Sequence, residues 1–216
     1  KAKNLAQLRK TLMYFGKEEE ILGFVAVADV VKETSKEAIE KIKALSVKVI
    51  MLTGDQSLTA NAIGEEVGVD KVYAGVLPEE KGQVIEELQS QGLKVAMVGD
   101  GINDAPALAL SDVGIAIGAG TDVAMESADI ILMKNDLLDV VNAIKLSKAV
   151  IRNIKQNLFW AFFYNCIGIP LAAGLFYPLW AIKLSPMFGA FAMSISSLFV
   201  VSNALRLRYV KLEKKS

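Results

Sequence analysis

Between Thr34 and Leu132 the sequence alternates helical periodicity with short apolar runs, and this alternation constrains the fold more than any other feature. Thr34 or Ser35 can cap a helix whose Ala38, Ile39, Ile42 and Leu45 share one face, after which Val47 to Leu52 reads as a buried strand. A second helix runs through Ala60, Ile63 and Val67 and stops at Gly68; Val72-Tyr73 is a short strand, and Pro78 opens a helix that ends near Gly92. Leu93 to Val98, Val113 to Ile117 and Ile130 to Leu132 read as further strands, with a short helix from Thr121. Strands and helices in this order imply a parallel sheet covered on both faces, a doubly wound α/β domain. Ahead of it, Thr11 to Phe15 and Ile21 to Ala28 flank the polar segment 16–20, which predicts a hairpin or a strand connection.

The chemistry concentrates after the strand that ends at Val98. Gly99-Asp100-Gly101-Ile102-Asn103-Asp104-Ala105-Pro106-Ala107-Leu108 delivers two carboxylates to the carboxyl edge of the sheet, where open α/β folds bind ligands. Asp100 and Asp104 are hard oxygen donors of the kind Mg²⁺ takes one or two at a time, leaving its other positions to water and phosphate. Glycine lets backbone approach an anion, and Pro106 suits a first helical turn. An Asp-Gly pair alone is more often an ordinary turn; two acids, an Asn and a Pro at fixed places over ten residues point to a phosphoryl-transfer site. Thr53, in Thr53-Gly54-Asp55 after an earlier strand, and Lys81 add a hydroxyl and an ammonium able to neutralise developing phosphoryl charge.

Formal net charge is zero, so nothing suggests nucleic acid as a partner. One cysteine, Cys166, leaves no internal disulfide, and the lack of histidine removes His-based zinc sites. Charge stops at Lys155: 156–182 carries none, and after Lys183 neither does 184–205. Each run reaches the length of about 20 residues needed to cross a bilayer, so the reading predicts a transmembrane hairpin. Arg152 and Lys155 before it, and Arg206, Arg208 and Lys211 after it, place both ends in the cytoplasm. A stalk helix from Asp136 would lead into the first span.

With these motifs on the page, the chain resembles the P-type ATPases, whose phosphorylation domain has the haloacid-dehalogenase fold. The matching residues are Met51-Leu52-Thr53-Gly54-Asp55, Pro78 with Lys81, the Gly99 to Leu108 stretch with Val98, and Asp112-Val113-Gly114-Ile115-Ala116-Ile117-Gly118. The resemblance, from about Gly23 onward, implies that Thr53 and Lys81 contact the phosphoryl group and that Asp100 binds the catalytic Mg²⁺. Asn103 and Asp104 would support it, Asp104 as a further Mg²⁺ ligand, while Gly54 and Asp55 would shape the nucleotide-facing loop. The Asp29 segment resembles the family's hinge, with Val30 where a proline is frequent. The family's nucleophile, an aspartate in Asp-Lys-Thr-Gly-Thr, has no match here. The resemblance therefore implies a C-terminal piece of a longer pump, whose remainder supplies the nucleophile on a central strand, the nucleotide-binding domain for ATP and the earlier membrane helices. A piece without that strand should have an open slot in its sheet and no phosphoenzyme of its own.

In the uncharged runs, Tyr164-Asn165 and Met193-Ser194-Ile195-Ser196-Ser197 resemble the Tyr-Asn and Met-x-x-Ser-Ser of the Cu⁺-transporting class. Each taken alone reads as packing: Met193 as core filler, Ser196 and Ser197 as small packing residues. Together, by that resemblance, Tyr164, Asn165, Met193 and Ser197 would contact transported Cu⁺, or equally soft Ag⁺, since thioether sulfur favours soft ions. Cys166 and Met187 are weaker sulfur candidates, and Pro170 would bend its helix.

The expected organisation is thus 1–28 as the end of a nucleotide-binding domain with hinge strands, 29–135 as a partial phosphorylation domain, 136–155 as stalk, 156–182 and 184–207 as membrane helices and 208–216 as a cytoplasmic tail. The expected cofactors are Mg²⁺ and ATP. The expected partners are the rest of the pump, the lipid bilayer, in the plasma (inner) membrane, and a copper chaperone. The competing readings are a non-catalytic, membrane-anchored Mg²⁺- or phosphate-binding partner, a pump for another metal, and a soluble phosphatase of the same fold.

Overall fold

In the computed structural model of the protein the described residues are 11–17, 20–27, 31–100, 102–118, 126–174 and 186–213. The expected hinge at Asp29 and the start of the expected helix at Thr121 lie outside them. The chain divides into two compact units, Lys1–Val141 with Lys214–Ser216, and Asn142–Glu213.

In the first unit, β1 (Thr11–Lys17) and β2 (Glu20–Val27) pair antiparallel as the hairpin expected from their flanking turn, with a register irregularity at Phe15/Gly16. The α/β part contains α1 (Glu33–Ala44), β3 (Ile50–Leu52), α2 (Ser57–Val67), β4 (Lys71–Tyr73), α3 (Lys81–Ser90), β5 (Ala96–Gly99), α4 (Ala105–Leu110), β6 (Val113–Ile117) and β7 (Ile130–Leu132). All pairings among β3 to β7 are parallel, as the alternation requires, but they fall into two sheets. One is β3-β4 and the other β5-β6-β7, and among the described residues no ladder joins β3 to β5. Apolar packing spans the break: Ile85, Met97, Ala107 and Leu108 form a buried cluster, and Leu52 of β3 and Val95 pack against it. Leu108 is 1% exposed, and burying a leucine contributes roughly 1.5–3 kcal/mol.

A repeated device holds the parallel strands in register at their amino ends. Asp70, just before β4, donates its N–H to the Val49 carbonyl at 2.8 Å and accepts the Val49 N–H on its carboxylate at 2.8 Å. Asp112, just before β6, accepts the Val95 N–H at 2.9 Å, while Val113 donates to the Val95 carbonyl at 3.2 Å. Asp129, just before β7, accepts the Gly114 N–H at 2.8 Å and donates to its carbonyl at 2.9 Å. Each aspartate thus pairs a backbone amide at or next to the amino end of the neighbouring strand.

The long helix α5 (Leu137–Ala172) starts in the first unit, where the Asp136 carboxylate caps it by accepting the Leu138 N–H and the Thr34 hydroxyl, each at 3.0 Å. In the second unit α5 is followed by α6 (Pro186–Leu205) and a 3₁₀ turn, Arg206–Tyr209. Asparagines stitch these elements together. Buried Asn153 donates to the Asn203 carbonyl at 2.7 Å, Asn203 donates to the Asn157 side chain at 2.8 Å, and Asn157 donates back to Asn153 at 3.1 Å. Nearer the start of α5, Asn142 holds the backbone of Glu213 from both sides, at 3.0 and 2.7 Å, and Lys145 pairs with the Glu213 carboxylate.

The expected transmembrane hairpin is not found: among the described residues no helix is long and apolar enough to cross a membrane. The uncharged run to Ile182 is not one helix, because α5 closes at Ala172 with Gly174 in the left-handed region at φ 78°. Its charge-free part, 156–172, rises only about 25 Å at 1.5 Å per residue, short of the ~30 Å hydrocarbon core, and includes Gln156, Asn157 and Asn165. The second helix, 20 residues long, carries Ser194, Ser196, Ser197, Ser202 and Asn203. Freedom from charge is a weaker condition than continuous apolar helix. The expected end-piece with two membrane helices, and the integral-membrane placement with both ends cytoplasmic, are withdrawn on this finding; the α/β fold and the helix from Asp136 stand.

Candidate active site

The residues expected to carry chemistry sit at the carboxyl ends of β3 and β5 and at the head of α3. Thr53 follows β3. Its N–H donates to the Tyr73 carbonyl at 3.0 Å, which extends the β3-β4 ladder by one residue. Its hydroxyl donates to the Asp55 carboxylate and accepts the Asp55 N–H, each at 3.1 Å, so the turn is closed by its own side chains. The next segment is pinned to the same turn: Gly75 donates to the Asp55 carbonyl at 2.8 Å and Val76 to the Thr53 carbonyl at 3.0 Å. Five residues on lies Lys81, at the head of α3, behind a 3₁₀ turn in which the Glu80 carboxylate accepts the Leu77 N–H at 3.0 Å. Turn chemistry thereby leads the chain from Thr53 to Lys81.

Lys81 is spoken for. Its ammonium lies 2.6 Å from Oδ1 of Asp104, with side chains only 15% and 12% exposed. Asp104 heads α4, and its side chain rests against Gly99, where an added Cβ would meet its Cβ at 2.7 Å and its carboxyl at 2.8–2.9 Å. Only glycine fits there, which gives the first Gly of the motif a packing reason. Asp100, at the end of β5, and Asn103 are exposed. Among the described residues no hydrogen bond links the Thr53 turn directly to Asp100 or Asp104. The site is therefore two half-sites, Thr53 with Asp55 and Lys81 with Asp104, and an open carboxylate at Asp100.

Among the described residues no group of three or more aspartate, glutamate or cysteine side chains could hold a metal. Asp100 nonetheless fits Mg²⁺, which binds proteins through one or two carboxylates and completes its shell with water and phosphate oxygens. Asp104, expected as a second ligand, has one oxygen committed to Lys81.

Of the residues expected to meet a transported ion, Tyr164 and Asn165 lie on α5, Met193 and Ser197 on α6. Tyr164 lines a cleft of about 390 Å³ with Asn157, Trp160, Ser196, Asn203 and Arg206. Ser196 rather than Ser197 lines it, and Asn165 does not.

Sequence reasoning passed over the strand-start aspartates and the asparagine stitch. Asp112 is the most strongly perturbed: Lys94 at 2.7 Å, then the Val95 N–H and Gln89, pull its pKa down to about 2. Asp70 is likewise lowered, by Lys43 and the Val49 N–H. The signal was available, since each aspartate immediately precedes a short apolar strand. Asn153 and Asn157 were similarly visible, four residues apart on one helix face.

Comparison with known proteins accords with this geometry. Residues 2–112 match the family described as haloacid dehalogenase-like hydrolase. The chain is 56% identical over 201 residues to "Copper-transporting ATPase 2" of Rhizobium meliloti (strain 1021), covering 93% of this chain and 24% of that protein. It is 49% identical over 204 residues to the "Silver exporting P-type ATPase" of Salmonella typhimurium, covering 94% of this chain and 25% of that one. Among solved structures, a zinc-transporting PIB-type ATPase in its E2.Pi state aligns with a TM-score of 0.79 at 36% identity, over 95% of this chain and 33% of that chain. The chain thus spans about a quarter of the length of the curated relatives it matches. On the family match, with its parallel strands and a Gly-Asp-Gly turn at their carboxyl edge, the chain belongs to the haloacid dehalogenase-like hydrolases.

Proposed function

We propose that the chain is the phosphoryl-handling portion of an ATP-driven heavy-metal pump, with Cu⁺ or Ag⁺ as cargo. The observation that carries the reading is the nearly buried Lys81–Asp104 pair behind the exposed carboxylate of Asp100 at the end of β5. Thr53 offers a hydroxyl and Lys81 a cation to a phosphoryl group, and Asp104 keeps that cation oriented while Asp55 orients the hydroxyl. Mg²⁺ held at Asp100 would supply charge neutralisation on the phosphoryl oxygens. The aspartate that accepts phosphate from ATP belongs to a segment outside this sequence, so the rest of the pump is the first partner. Gly54 and Asn103 shape the two turns.

Cargo is assigned to Tyr164, Asn165, Met193 and Ser197 because thioether and small polar groups suit a soft, weakly hydrated monocation. Zinc is the second reading, favoured by the 36% identity to a zinc-transporting structure. The experiment is metal-stimulated ATP hydrolysis by the complete reading frame, with Cu⁺, Ag⁺ and Zn²⁺ in parallel. Asp100→Ala should lower turnover by at least about 100-fold with every metal. Met193→Ala should abolish stimulation by Cu⁺ and Ag⁺ and leave metal-independent phosphorylation by inorganic phosphate in place. Full turnover in Asp100→Ala removes the phosphoryl assignment; unchanged Cu⁺ stimulation in Met193→Ala removes the cargo assignment.

A further inference from the structure

Two helices joined only by apolar surface can slide past each other by a turn, and a directional bond between them is what selects one register. In the second unit that bond is a relay of amides. Its origin is the backbone carbonyl of Asn203, one of the last four carbonyls of α6, which an α-helix leaves without an amide of its own. A carbonyl can only accept, so Asn153 of α5, 8% exposed, turns its Nδ2 toward it at 2.7 Å. That orientation presents Oδ1 of Asn153 to Asn157, which donates to it at 3.1 Å and so presents its own oxygen to Asn203. Asn203 donates there at 2.8 Å and to Gln156 at 3.4 Å, while its side-chain oxygen accepts from Nη1 of Arg206 at 3.3 Å. One fixed acceptor thus orients all three asparagines, and the ring closes on the residue where it began.

What the relay aligns lies two turns away in each helix. Tyr164 is seven residues after Asn157 on α5, and Ser196 is seven before Asn203 on α6, about 10 Å along either axis. Equal offsets in opposite chain directions keep the two pairs level, and all four residues line one cleft of about 390 Å³. Met193 stands three residues before Ser196 on α6, and Asn165 follows Tyr164 on α5. A slip of one turn, about 5.4 Å, would part the donors of the relay from their acceptors and set Tyr164 against a different level of α6. Packing alone needs only volume at these positions. The relay adds direction, because each amide has to donate on one side and accept on the other.

We infer that Asn153, Asn157 and Asn203 are positioning residues: their relay fixes the register of α5 against α6 and with it the placement of Tyr164 relative to Ser196 across the cleft. The consequence for a bound soft monocation rests on the pump reading; the register does not. The relay acts through Tyr164 and its neighbours, without touching the ion.

The register is read by cross-linking in the purified chain carrying Cys166→Ser, which leaves no native thiol. A short bis-maleimide should join Tyr164→Cys to Ser196→Cys at least about tenfold faster than Tyr164→Cys to Ser197→Cys, since Ser197 does not line the cleft. Asn203→Asp, nearly equal in volume, removes the donor to Asn157 and should bring the two rates toward parity. A role in packing alone would leave their ratio unchanged. The comparison without Asn203→Asp stands whether or not that variant folds. In the complete reading frame, Asn203→Asp should raise the Cu⁺ or Ag⁺ concentration for half-maximal ATP hydrolysis at least about tenfold, the effect of one lost hydrogen bond. Phosphorylation by inorganic phosphate should stay as in the parent. Equal cross-linking of the two pairs in the parent, or an unchanged ratio in Asn203→Asp, would overturn the register. An unchanged half-saturating concentration beside a shifted ratio would overturn the positioning of cargo. A parent that no metal stimulates would remove the pump reading instead, with the register still decided by the cross-links.

Discussion

Asp112 gathers three donors, Lys94, the Val95 N–H and Gln89, and this is why its carboxyl titrates near 2 instead of the ordinary 3.8. A carboxyl whose pKa falls on folding contributes stability fully above its unfolded value and loses it as pH drops through its folded one. For Asp112 that window runs from about pH 4 down to about 2. Urea midpoints measured across it should fall with acid in the parent and fall less steeply in Asp112→Asn, which has no proton to gain. Identical acid limbs would mean the contacts form equally in the unfolded chain. At this scale the motif residues were readable, because Thr53, Lys81, Asp100 and Asp104 occur in dense, chemically unusual strings. For Asp70, Asp112 and Asp129 only the position before a short strand was visible; their partners, 15 to 21 residues away, were not.

Helices and strands followed from periodicity wherever a stop signal was local. Gly68, which ends α2 in the left-handed region at φ 83°, is an example. The reading failed where the stop was inferred from charge alone, so that a run to Ile182 was taken for one helix that ends at Ala172. How tightly the elements seat is a separate matter that periodicity does not report. A Cβ on Gly114 in β6 would lie 2.7 Å from the backbone oxygen of Leu108 in α4, whereas one on Gly82 in α3 would meet only the tip of Leu110 at 2.7 Å. Backbone yields less readily than a side-chain end. Gly114→Ala should therefore cost about 1–3 kcal/mol by overpacking and Gly82→Ala distinctly less, as compared by chemical denaturation. Equal costs would show that α4 slides freely over β6.

Among the described residues the first unit carries five strands paired in parallel in two sheets, with side chains of β3 and of the segment leading into β5 packed on one apolar cluster. Sequence alternation foresaw a single parallel sheet, and the resemblance to the P-type ATPases implied an open slot in it; the described strands fall into two sheets, with no ladder from β3 to β5. Hydrogen exchange should reflect the difference, because among the described residues β6 is paired on both edges while β3 pairs with β4 alone. Amides of Ile115 and Ala116 should exchange slowest, and those of β3 and β4 faster by orders of magnitude. Uniform protection across both sheets would mean that β3 has a second hydrogen-bonded neighbour. Whole-molecule features of this kind depend on what lies beside a strand, which no local pattern records.

The three strand-start aspartates sit at one end of the sheets, and every candidate reacting group sits at the other. The ends are mechanically unequal. Register is secured at the foot of the strands, so substitutions, insertions or bound groups at the head can reshape the turns there without releasing the ladder beneath. A lineage could retune what this edge recognises while the same foundation goes on specifying the fold.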